Sequence, residues 1–336
     1  MGPRASERRI SLQALARPAA GHPEPGCRCK TARSVQYSEQ AAAIPQAHFS
    51  GHGAACRGKR FFRARLFLGS GPIDLASAAT MSNLFWLTDA QMARLQPFFP
   101  KSHGKPRVDD RRVLSGIIFI NRNGLRWCDA PKEYGPPKTL YNRWKRWSDK
   151  GVFARMMVGL AAEAAVPKTV MIDATYLKAH RTATSLRSKK GGAGDQRGRL
   201  IGRTKGGMNT KLHAVTDADG RPIRFFMTAG QVSDYTGAAA LLSSLPAAEW
   251  LLADRGYDAD WFREALKDKG IKPCIPGRKS RGKPIKHDKR RYKRRNRIEI
   301  MFGRLKDWRR VATRYDRCPK VFLSAVALAA TVMFWL

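Results

Sequence analysis

The sequence predicts an α/β protein, a mixed sheet with flanking helices preceded by a small helical domain. Three observations carry this. From Lys168 onward the chain reads strand, hairpin, helix, strand, helix, strand and long helix, the order of a sheet with covering helices. Between about residues 84 and 160, apolar residues recur at helical spacing. Residues 1–80 follow neither pattern. The divisions expected are therefore 1–80 as a disordered N-terminal extension, 81–165 as the helical domain and 166–336 as the α/β domain.

Residues 1–80 are rich in Ala, Arg, Gly, Pro and Ser, with Phe61–Ile73 as an apolar patch. Cys27, Cys29, His52 and Cys56 lie here, but the C-x-C spacing does not match an ordinary zinc finger. The sharp pattern begins at Met81, which is expected to be the functional start in preference to a basic tail that touches DNA.

Thr88 caps a first helix carrying Met92, Leu95 and Phe98, and Pro100 ends it. Asp109–Asn123 repeats the form, with Val113, Leu114, Ile117, Ile118 and Ile120 inward and Gly124 as the stop. After Gly135-Pro136-Pro137 a third helix is expected from Thr139 to Phe153. In it Leu140, Trp144 and Trp147 face inward, and Asn142, Arg143, Lys145 and Arg146 face out. Three short helices ending in a basic one suit a helix-turn-helix-like reader of DNA; an ordinary bundle with a solvated face is the plainer alternative.

Lys168–Leu177 is strand-like with Asp173 in its middle. A Gly, Ser, Arg and Lys loop over 181–209 follows. Lys211–Thr216 and Pro222–Ala229 form a hairpin across Asp217-Ala218-Asp219-Gly220. Gly237–Leu245 is a helix, and Trp250–Ala253 a buried strand that runs directly into Asp254. Trp261–Lys269 is a helix with Asp258 and Asp260 as candidate caps, and Ile271–Ile275 a strand. Arg290–Arg310 is a basic helix, packed by Ile298, Met301, Phe302 and Leu305. Val321–Leu336 is apolar over 16 residues, short of the roughly 20 a bilayer needs, and reads as a buried terminal helix.

The chain carries 64 Lys and Arg against 26 Asp and Glu, a formal charge of +38. That excess calls for a polyanion partner, nucleic acid first; with no stretch long enough to span a bilayer, no membrane partner is expected. The six cysteines are scattered without a paired framework, which fits a reducing compartment.

Against this background the acids stand out. On a helix turning about 100° per residue, Tyr292, Arg295, Glu299 and Lys306 share one narrow stripe. Glu299 is either an ion-paired surface residue or a metal-binding carboxylate amid phosphate-holding cations. Asp173 within one strand and Asp254 at the end of another favour the second, since the three can converge and hard divalent ions take oxygen ligands. Asp217 and Asp219 are more simply turn formers, Asp234 a cap or a support to the site, and His180 and His213 structural.

These residues carry a resemblance. Tyr292-x2-Arg295-x3-Glu299-x6-Lys306 matches the signature around the third carboxylate of DDE-class bacterial insertion-sequence transposases, insertion-sequence-five type. Asp173 in MIDAT and Asp254 in LLADRGYD resemble the first and second carboxylates, and the resemblance runs essentially from Met81 to Leu336. It implies a ribonuclease-H-like domain in which Asp173, Asp254 and Glu299 hold Mg²⁺ (or Mn²⁺), while Tyr292, Arg295 and Lys306 position DNA. It implies hydrolysis of a strand at the element's terminal inverted repeats, then attack of the freed 3′-hydroxyl on target DNA. The partners would be both duplexes and further copies of the chain, because two ends are joined in one event. The setting would be the bacterial cytoplasm, at the nucleoid. A metal nuclease that cuts without joining, a silent DNA-binding relic or regulator, and a basic RNA-binding structural protein are the alternatives.

Overall fold

A computed structural model describes residues 84–101, 108–185 and 196–336. The extension expected at 1–80, and part of the loop expected at 181–209, lie outside these residues.

The helical region starts where its caps predict. α1 (Asp89–Leu95) opens on a capping box: the Gln91 amide donates to Thr88 Oγ1 at 3.2 Å, and the Thr88 amide to Gln91 Oε1 at 3.0 Å. α2 (Asp110–Asn123) has Asp109 as N-cap and ends at Gly124, whose φ of 72° only glycine adopts cheaply. α3 (Pro137–Asp149) begins two residues before Thr139, because proline fits the first helical turn. It stops short of the expected Phe153. Gly151, at φ 65°, turns the chain into a fourth helix, α4 (Val152–Ala162).

The α/β region then runs β1 (Thr169–Ala179), α5 (Arg181–Thr184), β2 (Gly202–Thr204), β3 (Gly207–Thr216), β4 (Pro222–Ala229), α6 (Asp234–Leu242) and β5 (Trp250–Leu252). It continues through α7 (Asp260–Asp268), β6 (Lys272–Cys274), α8 (Lys289–Tyr292), α9 (Asn296–Lys306), α10 (Arg309–Ala312), β7 (Thr313–Arg314) and α11 (Pro319–Phe334). β3 reaches back into the expected loop. The expected helix at 290–310 tightens to a 3-10 turn at Lys293–Arg295, and ends at Lys306 before Trp308 turns inward.

β1 lies at the sheet's centre. β3 pairs antiparallel on one side, with β2 and β4 along β3's far edge; β5 and then β6 pair parallel on the other. β4-β3-β1-β5-β6, with only β3 reversed, is the ribonuclease-H-like arrangement. Side chains alternate between its faces. Val170, Ile172, Val215 and Leu251 pack with α6 and α7. Met171, Leu212, Ala214 and Leu252 belong to a second cluster holding α9, α11 and the helical region, running from Leu87 to Trp335. The change of character near residue 165 is thus a change of secondary structure, while the packing runs straight across it. Among the described residues no helix is long and apolar enough to cross a membrane.

Candidate active site

Strand register brings the two aspartates together. Met171 on β1 pairs with Leu252 on β5 in parallel. Asp173, still within β1, and Asp254, just past the end of β5, are each two residues further on and therefore stand at the same level. The Asp173 carboxylate accepts from the Ala174 amide at 2.8 Å, and Asp254 Oδ1 from the Gly256 amide at 2.8 Å.

The basic helix supplies the rest. Arg295 Nη1 donates to Asp173 Oδ2 at 2.7 Å, and Arg295 Nη2 donates to Glu299 Oε1. Lys306 Nζ donates to Thr175 Oγ1 at 2.8 Å, two residues along β1 on Asp173's face. The guanidinium of Arg295 stands 5.8 Å from the Tyr292 ring centroid. Asp173 and Glu299 thus meet on one guanidinium, and Asp254 acts on the same charge from the end of β5.

Burial dominates the electrostatics. It pushes the Asp173 carboxyl up to about 6; Arg295 opposes the shift and Asp254 adds to it. Burial likewise raises Asp254 against the pull of Arg295. For Arg295 burial works against the charge, but Asp173, Tyr292, Glu299 and Asp254 outweigh it. The 2.7 Å pair to Asp173 therefore only partly offsets the desolvation of that carboxylate.

Three carboxylates, two of them short of compensating charge, are a donor set suited to a hard divalent cation. Among the described residues no three His, Cys, Asp or Glu side chains are arranged to hold an ion as they stand. Arg295 lies between Asp173 and Glu299, so the set can close around an ion only as that guanidinium swings away.

Of the three outward cations expected on α3, one is corrected. Arg143 is 8 % exposed; its Nη1 pairs with Asp110 Oδ1 on α2, and its guanidinium lies 5.1 Å from the Trp147 centroid. A partner carboxylate on the neighbouring helix drew it inward. Lys145 is on the surface, paired with Asp149 at 2.7 Å, and Arg146 is exposed.

The sequence reading also missed a brace. Asp258, expected as a cap, has a fully buried side chain that accepts from Arg263 Nε at 2.9 Å, Arg281 Nε at 2.7 Å and the Arg278 amide at 2.7 Å. Arg278 in turn donates to the carbonyls of Arg255 and Gly256, both at 3.2 Å. The basic loop after β6 is thereby tied to the turn that carries Asp254. Burial alone would raise the Asp258 carboxyl, but these hydrogen bonds hold it at about 2. A D-x3-D step beside a candidate acid was the available signal. The expected structural roles fit elsewhere: Asp217 closes the hairpin turn, accepting from the Asp219 and Arg221 amides, and His180 caps α5.

Sheet order and acids together define an α/β protein of the ribonuclease-H-like class, with one aspartate midway along the central strand and another just past the end of its neighbour. The family described as "Transposase DDE domain" matches residues 165–334, and that of IS4/5-family transposases matches residues 87–157. The chain belongs to the DDE-domain transposases. It is 40% identical over 131 residues to a Brucella ovis protein named as transposase for insertion sequence element IS6501, covering 38% of this chain and 99% of that one. It is 30% identical over 156 residues to a Burkholderia cepacia protein named as transposase for IS402, covering 41% and 72%. Among solved structures, a chain of the pre-cleavage Mos1 transpososome overlaps loosely, with a TM-score of 0.22 and 11% identity over 69% of this chain and 79% of that one.

Proposed function

We propose that this chain cuts the ends of its insertion sequence and transfers the freed strand to target DNA, using Mg²⁺, with Mn²⁺ as a substitute. The observation that supports this most is the meeting of Asp173, Glu299 and Arg295 midway along β1, with Lys306 on Thr175 beside them.

Asp173, Asp254 and Glu299 would hold the ions. Bound there, a divalent ion makes the attacking oxygen a better nucleophile and stabilises the leaving one. Arg295, released from the carboxylates, would move to a phosphate oxygen, which its planar fork suits. Lys306 and Tyr292 would hold the neighbouring phosphates. In the first step water attacks phosphorus, the P–O3′ bond breaks, and a 3′-hydroxyl is left. In the second that hydroxyl attacks a target phosphorus and displaces another 3′-oxygen. No protein–DNA bond forms.

Residues 84–162 would read the element's ends, with Lys145 and Arg146 at the duplex and Arg143 holding α3 to α2 behind them. Affinity would come largely from phosphate contacts and would fall steeply with salt. Joining two ends would require more than one copy of the chain, working at the cell's DNA in the cytoplasm.

The test uses the full chain and Glu299→Gln on labelled duplexes carrying the element's ends, with Mg²⁺. Cutting and joining by the parent, with binding but neither reaction in the variant, is the expected result. Cutting without joining would assign a nuclease. Binding with no cutting by either protein would assign a silent DNA-binding protein, and equal activity in both would remove Glu299 from the site.

A further inference from the structure

One strongly charged surface has no part in the proposed reaction. Arg278–Arg291 carries eight Lys and Arg in fourteen residues against one acid, Asp288. The run leaves β6, the outermost strand on its side of the sheet, and leads into α8. Both of its ends are anchored. At the start Arg278 donates to the Arg255 and Gly256 carbonyls, and its guanidinium lies 4.8 Å from the Tyr235 ring centroid. At the end Asp288 caps α8, and the Arg291 guanidinium stands 4.2 Å from the ring centroid of Trp250, which opens β5. The acids along the run are engaged, Asp258 and Asp260 by Arg281, and Asp288 by Arg291 at 3.5 Å.

Lys279, Lys283, Lys286, Lys289 and Arg290 are exposed and form no ion pair among the described residues. Like charges on one anchored segment repel each other, and a polyanion relieves that repulsion. A DNA backbone does so and releases counterions in exchange. Position then distinguishes this surface from the one proposed to read the element's ends. The helical region meets the sheet at its other margin, where Ala154 and Met157 of α4 line a small cavity with Phe225 of β4. β1, with Asp173, runs between the two margins. Strand transfer brings two duplexes to one centre, and both cannot occupy one surface at once.

We infer that the Arg278–Arg291 run is the surface for the target duplex, while the helical region holds the element's end on the other side of the acids. Lysines on a segment anchored to the sheet grip phosphates and carry no base readout, which suits a duplex of arbitrary sequence. Arg278, through the Arg255 and Gly256 carbonyls, ties that surface to the turn bearing Asp254. This inference rests on the proposed strand transfer, and its test separates the two.

The test loads the full chain with a labelled duplex carrying the element's end, then titrates a random-sequence duplex carrying a second label. Capture is read as coincidence of the two labels, and far-UV circular dichroism confirms the fold. The variant combining Lys279→Ala, Lys283→Ala and Lys286→Ala should bind the element's end within about twofold of the parent. It should capture the second duplex roughly tenfold more weakly or worse, with the salt slope of capture reduced by about 3. Arg146→Ala should do the reverse, weakening the end and sparing capture. Parent-like capture by the triple variant would overturn the inference. So would an equal loss at both duplexes, which would assign the run to the element's own DNA. A parent that captures the second duplex but never joins it would count against the proposed strand transfer, and the capture comparison would still decide the inference.

Discussion

Asp258→Asn should destabilise the protein by about 3–4 kcal/mol while removing none of the residues proposed to hold metal or DNA. The carboxylate is buried and accepts from three partners at 2.7–2.9 Å. Asparagine keeps the size, but turns an amide donor toward guanidinium groups that only donate. Arg281 is 25 % exposed at its side chain and can turn to water, so its share of the loss is small. Arg263 is 11 % exposed there and keeps the Ile275 carbonyl at 2.7 Å as its remaining acceptor. Removing one partner of a buried ion pair costs about 3–5 kcal/mol, which sets the scale. For a chain of 336 residues the melting point should fall by roughly 4–6 °C. Urea and thermal unfolding followed by circular dichroism read this directly. Arg281→Gln is the control and should lose clearly less than Asp258→Asn. Because Arg278 would be freed from the Asp254 turn, strand cleavage should fall more than DNA affinity does. An Asp258→Asn protein within 1 kcal/mol of the parent, or an Arg281→Gln loss as large, would refute the reasoning.

Three further outcomes follow from the same structure. Asp173 sits near 6 when folded against an ordinary 3.8, so its ionisation works against folding as pH rises through that window; urea titrations of Asp173→Asn should gain on the parent by at most about 3 kcal/mol between pH 4 and pH 8, and a flat difference would contradict this. Phe322→Ala, at a fully buried position on α11, should cost about 3–5 kcal/mol, with tryptophan fluorescence and circular dichroism falling in one coincident transition because the helical region shares that core. Arg146→Ala should weaken DNA binding and reduce the salt slope by about 1 at unchanged stability, while Arg143→Met should lose stability instead, as paired titration and unfolding curves will tell.

Much of the site was legible because local rules govern it. Asp254 follows an apolar strand directly, and the Tyr292 to Lys306 stripe needs only helical spacing. The rest depends on which distant residues meet. Nothing near Arg143 announces Asp110, 33 residues earlier, and so an arginine on the polar side of α3 is read as outward. Asp258 precedes a helix and looks like its cap until Arg278 and Arg281 come back from the far side of β6. Gly151 is a single residue, and its left-handed turn splits one expected helix into two.

The placement of α11 sets an order for synthesis. α4 leaves the ribosome complete at Ala162, but the helix it packs along begins at Pro319. At about 5–20 residues per second the helical region waits roughly 8–30 s for its partner. Over that interval the apolar faces of α2, α3 and α4 are without their final cover. A message cut short before Pro319 would then yield a chain with every proposed catalytic carboxylate present and no finished interior, a substrate for chaperones and proteases in place of a shortened DNA-binding competitor.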